Sequence, residues 1–261
     1  MPGATAPVSG GLVRLALDHA LAHRYSVLME GTFRDVGMVT ANATRFADAG
    51  YRVEVVAVAT PAAVSRLSAE MRSLDVGHPA VGRWTPPEAH ESALTKSAGV
   101  LDALERFPHV QRMQVFSREQ LLFDNARTDT GEWAQPAEAA AALRREQHRP
   151  LDVREAFNWL QGYAAVFTKA HARPGYLGQE TAPAYVHLQR DAQTMIRTLS
   201  QTPGVPIGQL ERGQRSRRKH LERVLPAGLL PPQRRAVAPR VPDWAEHPGP
   251  TRRREPRALG Q

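Results

Sequence analysis

Between Leu12 and Asn125, short runs of β-branched residues alternate with longer segments whose apolar residues recur at helical spacing. That alternation most constrains the fold: it admits an α/β unit and little else. In Leu12–His23 the apolar positions Leu12, Leu15, Ala16, Leu17, Ala20 and Leu21 trace a helix. Ser26-Val27-Leu28-Met29 reads as a short buried strand that closes on Glu30-Gly31-Thr32. Val36–Ala49 is helical, with Gly50-Tyr51 as its stop, and Arg52–Val58 is a second strand. Thr60-Pro61 opens a helix to about Leu74, and Thr85-Pro86-Pro87 opens another to about Arg106, because proline is well tolerated in a first helical turn. His109–Phe116 and Gln120–Phe123 are strands joined through Ser117-Arg118-Glu119. That short link makes a hairpin, so a mostly parallel sheet becomes mixed at one edge. Beyond Pro136 the pattern is helical only, near 137–147, 152–172, 184–201 and 208–224.

The domain reading follows from these shifts. Residues 1–9 are small and proline-containing and are expected to be disordered. Residues 10–134 form the α/β core and 135–210 a helical C-terminal region. Residues 211–261 form a basic, Pro/Arg-rich, mostly disordered tail. The whole chain of 261 residues carries a net charge of +8, with 34 basic and 26 acidic residues. The tail holds 13 of the basic and 5 of the acidic residues, which leaves 21 of each in the body. The excess charge therefore belongs to an appendage and says nothing about a basic active site. There is no cysteine, which excludes disulfides, thiolate catalysis and cysteine metal sites. Val55–Ala59 is the longest kind of apolar run present, far short of a bilayer span, and no secretory pattern opens the chain. The expectation is a cytoplasmic protein without a membrane partner.

The segment Leu28-Met29-Glu30-Gly31-Thr32-Phe33-Arg34-Asp35 carries most of the chemistry. It lies at the carboxyl end of an expected strand and leads into a helix, where open α/β sheets bind ligands. Gly31 leaves room for a ligand beside the backbone, Thr32 offers a hydroxyl, and Glu30 and Arg34 supply opposite charges. A plain strand–helix loop with a surface ion pair is the alternative reading of these residues.

Ser26–Val36 also resembles the strand and loop of the zeta toxins, P-loop kinase-like proteins that phosphorylate UDP-N-acetylglucosamine with ATP. The likeness continues through Ala47–Val55, Ala57-Val58-Ala59, Ser65-Arg66-Leu67 and Arg83–His90. It is collinear from about Leu12 to Asn125 and looser to about residue 200. The resemblance implies a partial P-loop kinase-like three-layer fold and ATP with Mg²⁺ as cofactors. It further implies UDP-N-acetylglucosamine as sugar-nucleotide partner and an antitoxin as protein partner. It places Glu30 and Thr32 on the acceptor, which the loop reading extends to Gly31 and Arg34 as substrate-binding residues, and it places Arg72 and Arg83 as catalytic residues near the nucleotide phosphates. Guanidinium groups suit that role because phosphoryl transfer spreads negative charge over oxygens that arginine pairs bidentately. A solvated helix face is the alternative for Arg72.

The phosphate-binding loop G-x-x-x-x-G-K-[ST] is absent, since Lys96, Lys169 and Lys219 follow Thr95, Thr168 and Arg218. The family's catalytic aspartate has no counterpart, and Arg14 stands where the family has an acceptor-contacting glutamate. The expectation is therefore an N-terminally truncated member that is inactive as a kinase on its own. A non-catalytic remnant binding a sugar nucleotide or an antitoxin is the alternative. Nucleic-acid association through the basic tail is a further alternative: Arg215–Lys219 and the tail could neutralise phosphates, but aromatic residues for base stacking are lacking apart from Trp244, so a solvated tail is the preferred reading. His19 and His23 share a helix face without a third ligand, and His90-Glu91 lacks the second histidine of a zincin, so no metal is expected. Trp159, Tyr163 and Phe167 read as a core-facing stripe.

Overall fold

A computed structural model describes residues 2–32, 34–74 and 84–230. Among them are eight helices and three strands: α1 (Pro2–Ala22), α2 (Val36–Asp48), β1 (Val53–Val58), α3 (Ala62–Ser73), α4 (Pro87–Glu105), β2 (Val110–Phe116), β3 (Leu121–Ala126), α5 (Ala139–His148), α6 (Val153–Ala172), α7 (Ala182–Ser200) and α8 (Ile207–Val224). The α/β class expected from the alternation is the observed one. The sheet order is β1-β2-β3, with β1 parallel to β2 and β3 antiparallel to β2. The hairpin at Ser117–Gln120 produces that reversal, closed by Ser117 N–H donating to Gln120 O at 2.8 Å.

Alternation along the strands sorts the sheet's two faces. Val55, Ala57, Met113 and Val115 point to one face and join Leu101, Leu104 and Leu143 of α4 and α5 in one apolar cluster. Glu105 fixes α5 beneath that face, its carboxylate accepting from the N–H of Ala139 at 2.6 Å at the helix start. The opposite face carries Val56 and Val58, which stay exposed, and the Arg112–Asp124 ion pair at 2.6 Å.

The second cluster is helical. Trp159, Tyr163 and Leu160 of α6 pack with Leu67 of α3, Leu188 and Leu199 of α7 and Leu221 of α8, with Phe167 at its margin. The aromatic stripe read from spacing is thus core. Gly162 marks the closest approach: a Cβ there would lie 3.2 Å from Leu67 Cδ2, so α6 sits against α3 at a glycine. Buried amides tie the third helix in, with Gln189 donating to Tyr163 Oη at 2.7 Å and Gln214 donating to Gln189 Oε1 at 2.6 Å.

Four expectations are corrected. Ser26–Met29 takes no regular secondary structure and pairs with no strand among the described residues, and Leu28 is 88% exposed; an apolar segment makes a strand only where a neighbour completes the ladder. Residues 2–9 are the first turns of α1, not a disordered arm; Pro2 at the helix start forfeits no intrahelical bond, whereas Pro7, inside the helix, does. The boundary at 211 falls within α8, whose Leu221 and Gln214 are buried on α6 and α7. Nor does packing divide at 135: α5 belongs to the sheet's cluster and α3 to the helical one. Met1–Leu230 is one compact unit, and the tail from Pro231 lies outside the described residues.

Candidate functional site

The Glu30–Arg34 loop connects α1 to α2. Arg24, with φ of 59°, ends α1, and its guanidinium donates to Ala49 O at 2.6 Å, pinning the turn to the end of α2. At the other end Asp35 caps α2, its carboxylate accepting from Met38 N at 3.1 Å. Cap residues of this type satisfy an orphan amide of the first turn and set the path of the chain into the helix. Between these anchors Arg34 Nε donates to Thr32 Oγ1 at 2.9 Å. Glu30, Thr32 and Arg34 are exposed. A Cβ on Gly31 would meet nothing within 4 Å, so the backbone there is open to a ligand and not held by packing.

Of the expected site residues, only Thr32 and Arg34 are bonded to each other among the described residues. Arg72 is exposed on the last turn of α3. Arg83 lies outside the described residues, as does the Gly77–Gly82 loop before it.

The carboxyl ends of β1 and β2 frame a second feature that no sequence motif signals. A crevice of about 530 Å³ opens between Thr60-Pro61, the Ser117–Gln120 turn and the start of α6. This is where parallel α/β sheets place ligands, and its size suits a small molecule. Arg118 reaches into it and donates to Ser68 Oγ at 2.9 Å. Arg149 is committed to Glu146 at 3.1 Å and Glu155 at 2.8 Å. Hydrogen bonds from Arg149 hold the Glu155 carboxyl down to about 2, against a little burial. With Glu119 and Asp152 the lining sets four carboxylates against two guanidinium groups. Strand topology alone points to this crevice; its acidic balance comes from α5 and α6, distant in sequence.

A third constellation lies where α3, α4 and α7 meet, around a cavity of about 20 Å³, room for roughly one water. Arg66 donates to both oxygens of Glu91 at 2.8 and 2.9 Å and to Asp191 at 3.2 and 3.3 Å. Burial opposes ionisation of Glu91, yet bonds from His90 and Arg66 hold its carboxyl down to about 2. Burial dominates at Asp191 and raises its carboxyl despite Arg66. Burial also raises Glu70, which accepts from Tyr176 Oη at 2.9 Å, and lowers His187. His90 sits 3.0 Å from Ser65 Oγ and 3.3 Å from Glu91 Oε1. His90-Glu91, which begins like a zincin motif, is thus spent on neighbouring helices, and the described residues contain no group of three or more metal-ligating side chains. No helix among them is long and apolar enough to cross a membrane.

The frame is an α/β unit with an exposed, helix-capped loop at one end and an acidic crevice at the carboxyl ends of its parallel strands. Residues 3–128 match the zeta toxin family. That stretch, a little under half of the chain, holds the sheet and the Glu30–Arg34 loop, and it is the part of the chain that is similar to the family. Toxin PezT of Streptococcus pneumoniae is 27% identical over 145 residues, covering 50% of this chain and 57% of the relative. The chain therefore spans little more than half the length of that relative. A solved structure from the PezAT chromosomal toxin–antitoxin system of Streptococcus pneumoniae aligns at 20% identity with a TM-score of 0.49, over 63% of this chain and 62% of that one.

Proposed function

We propose that this chain binds a sugar nucleotide of the UDP-N-acetylglucosamine class at the Glu30–Arg34 loop and does not by itself transfer a phosphoryl group to it. One observation carries the reading: the family match runs through this loop, whose two ends are anchored by Arg24 and Asp35 while its polar groups face solvent. Glu30 would accept from sugar hydroxyls, Thr32 would add a hydroxyl, and Arg34 would pair with diphosphate oxygens. Gly31 would let the ligand approach the backbone. Arg72 and Arg83 would stand on the phosphate side.

ATP with Mg²⁺ would supply the transferred phosphoryl group in the family's chemistry. The residues present do not fit it. No Gly-Lys pair occurs in the sequence, and the crevice at the strand ends, with more carboxylates than guanidinium groups, repels a polyphosphate.

Calorimetry of the full chain with UDP-N-acetylglucosamine tests the binding half. Saturable heat is expected, weakened about tenfold in Glu30→Gln and Arg34→Met, as loss of one charge-assisted bond implies. Absence of heat at millimolar ligand overturns the reading. Sustained ADP release from ATP in the presence of the sugar nucleotide overturns the second half.

The PezT relative favours an antitoxin protein as a further partner, checked by co-sedimentation of this chain with the antitoxin of the PezAT system. Nucleic-acid association through the basic end is less favoured, because Arg217 lies over the Tyr163 ring and Arg218 is buried and bonded to Glu222 at 2.7 Å.

A further inference from the structure

We propose that Ser65 is a base-activated nucleophile that accepts a short acyl group from a neutral activated ester. The inference does not depend on the sugar-nucleotide reading.

Three side chains in sequence of contact carry it. Ser65 Oγ lies 3.0 Å from His90 Nε2, and His90 Nδ1 lies 3.3 Å from Glu91 Oε1. A nucleophile bonded to a base, with the base oriented by a carboxylate, is the arrangement that activates a hydroxyl. The protons follow from the partners. Burial opposes ionisation of Glu91, but hydrogen bonds from His90 and Arg66 keep its carboxylate ionised, so it can only accept. Nδ1 of a neutral His90 ring therefore carries the hydrogen, Nε2 offers its lone pair, and Ser65 donates to it. The Glu91 contact is the longer one, and Arg66 fixes its carboxylate by donating to both oxygens at 2.8 and 2.9 Å. Contacts of this kind are often long until a substrate is bound.

The Ser65 hydroxyl is also diverted from its usual partner. Hydroxyls inside helices bond back to the carbonyl four residues earlier, as Thr40, Thr95 and Thr168 do at 2.9 Å. At Ser65 only the N–H reaches Pro61 O, at 3.0 Å, while the hydroxyl crosses to α4. Ser65 and His90 are half-buried, and neither is sealed from solvent.

The surroundings select the donor. His90 lines the small cavity with Arg66 and Glu70 of α3, Glu91 of α4 and His187 of α7, and Asp191 of α7 lies against Arg66. Three carboxyl groups against one guanidinium group disfavour an anionic donor such as an acyl phosphate. Room for roughly one water disfavours a long acyl chain. In the step itself, Ser65 Oγ bonds to the ester carbonyl carbon and its proton passes to His90 Nε2. The ester C–O bond then breaks, and the imidazolium returns the proton to the departing oxygen. Because the Ser65 amide is committed to Pro61 O, it does not stabilise the oxyanion, so acylation without rapid turnover is expected.

Treatment of the full chain with p-nitrophenyl acetate, followed by peptide mapping, tests the proposal. Ser65 should take one acetyl group about 100-fold faster than Ser200, at a rate that rises with pH as His90 loses its proton. Ser200 is exposed and its hydroxyl donates to Arg197 O at 2.8 Å, so no base assists it. His90→Gln should remove the advantage, and Ser65→Ala, which loses only the hydroxyl, should remove the acetyl group from that peptide. Circular dichroism checks that each variant is folded, and the comparison with Ser200 in the parent chain needs no variant. Three results overturn the proposal. They are acetylation of Ser65 no faster than that of Ser200, a rate that does not change with pH, and an undiminished rate in folded His90→Gln.

Discussion

Replacing Arg66 by methionine keeps most of the side chain's volume and removes the charge that two acidic residues share. The guanidinium bridges Glu91 on α4 and Asp191 on α7, with side-chain exposures of 20%, 25% and 16% for Arg66, Glu91 and Asp191. Breaking a buried pair from one side strands the partner's charge, and costs about 3–5 kcal/mol where burial is complete. Partial exposure puts this site near the lower bound, about 3 kcal/mol at neutral pH. With a urea m-value of about 3 kcal/mol/M the unfolding midpoint should fall by about 1 M. The pH dependence identifies the cause. Glu91's folded-state pKa, about 2, lies below its ordinary value of 4.5, so its stabilisation is fully present above that value and is lost as pH falls through about 2. Without Arg66 the buried Glu91 and Asp191 take up protons at higher pH, which relieves the stranded charge. The gap between Arg66→Met and the parent should therefore shrink as pH is lowered from neutral toward the ordinary carboxylate range. A loss below about 1 kcal/mol at neutral pH, typical of surface pairs, or a gap that does not change with pH, refutes this account of the bridge.

Asp152 and Glu155 form a reciprocal capping box at the start of α6, each side chain bonded to the other's backbone N–H at 2.8 Å. Asp152→Ala should lose about 1 kcal/mol in a thermal or urea melt. At Gly162 the expected effect depends on size. Alanine should be close to neutral, because a helix-propensity gain of about 1 kcal/mol offsets the 3.2 Å approach to Leu67. Valine should destabilise by about 1–3 kcal/mol through overpacking between α3 and α6, again read from the melt.

Where local chemistry decides, the sequence is sufficient. Gly50, with φ of 83°, ends α2 where the Gly-Tyr pair indicates a stop. The starts of α3 and α4 fall at Pro61 and at Pro86-Pro87, and the Ser117–Gln120 link gives the antiparallel hairpin. The Trp159–Phe167 periodicity points inward, as a stripe of large apolar residues on one helix face must. The Glu30–Arg34 loop is legible because its residues are contiguous and their anchors, Arg24 and Asp35, lie close beside them in the chain. Arg72 is legible only as a charge on a helix, and its exposed position adds no further meaning.

What tertiary structure decided are features that need two distant segments. Ser26–Met29 has the composition of a buried strand, but a strand exists only when a neighbour supplies its ladder, and none of the described residues does. Arg66, Glu91 and Asp191 lie on three helices, with 125 residues between the first and the last, so no spacing rule could join them. Their proximity sets which carboxyl is held ionised and which is raised. The acidic lining of the crevice arises in the same way, because α5 and α6 bring Glu146, Asp152 and Glu155 to the ends of strands far earlier in the chain. Local propensity and turn chemistry act over a few residues and can be read along the chain; burial, charge pairing and strand partnership depend on what the fold sets alongside.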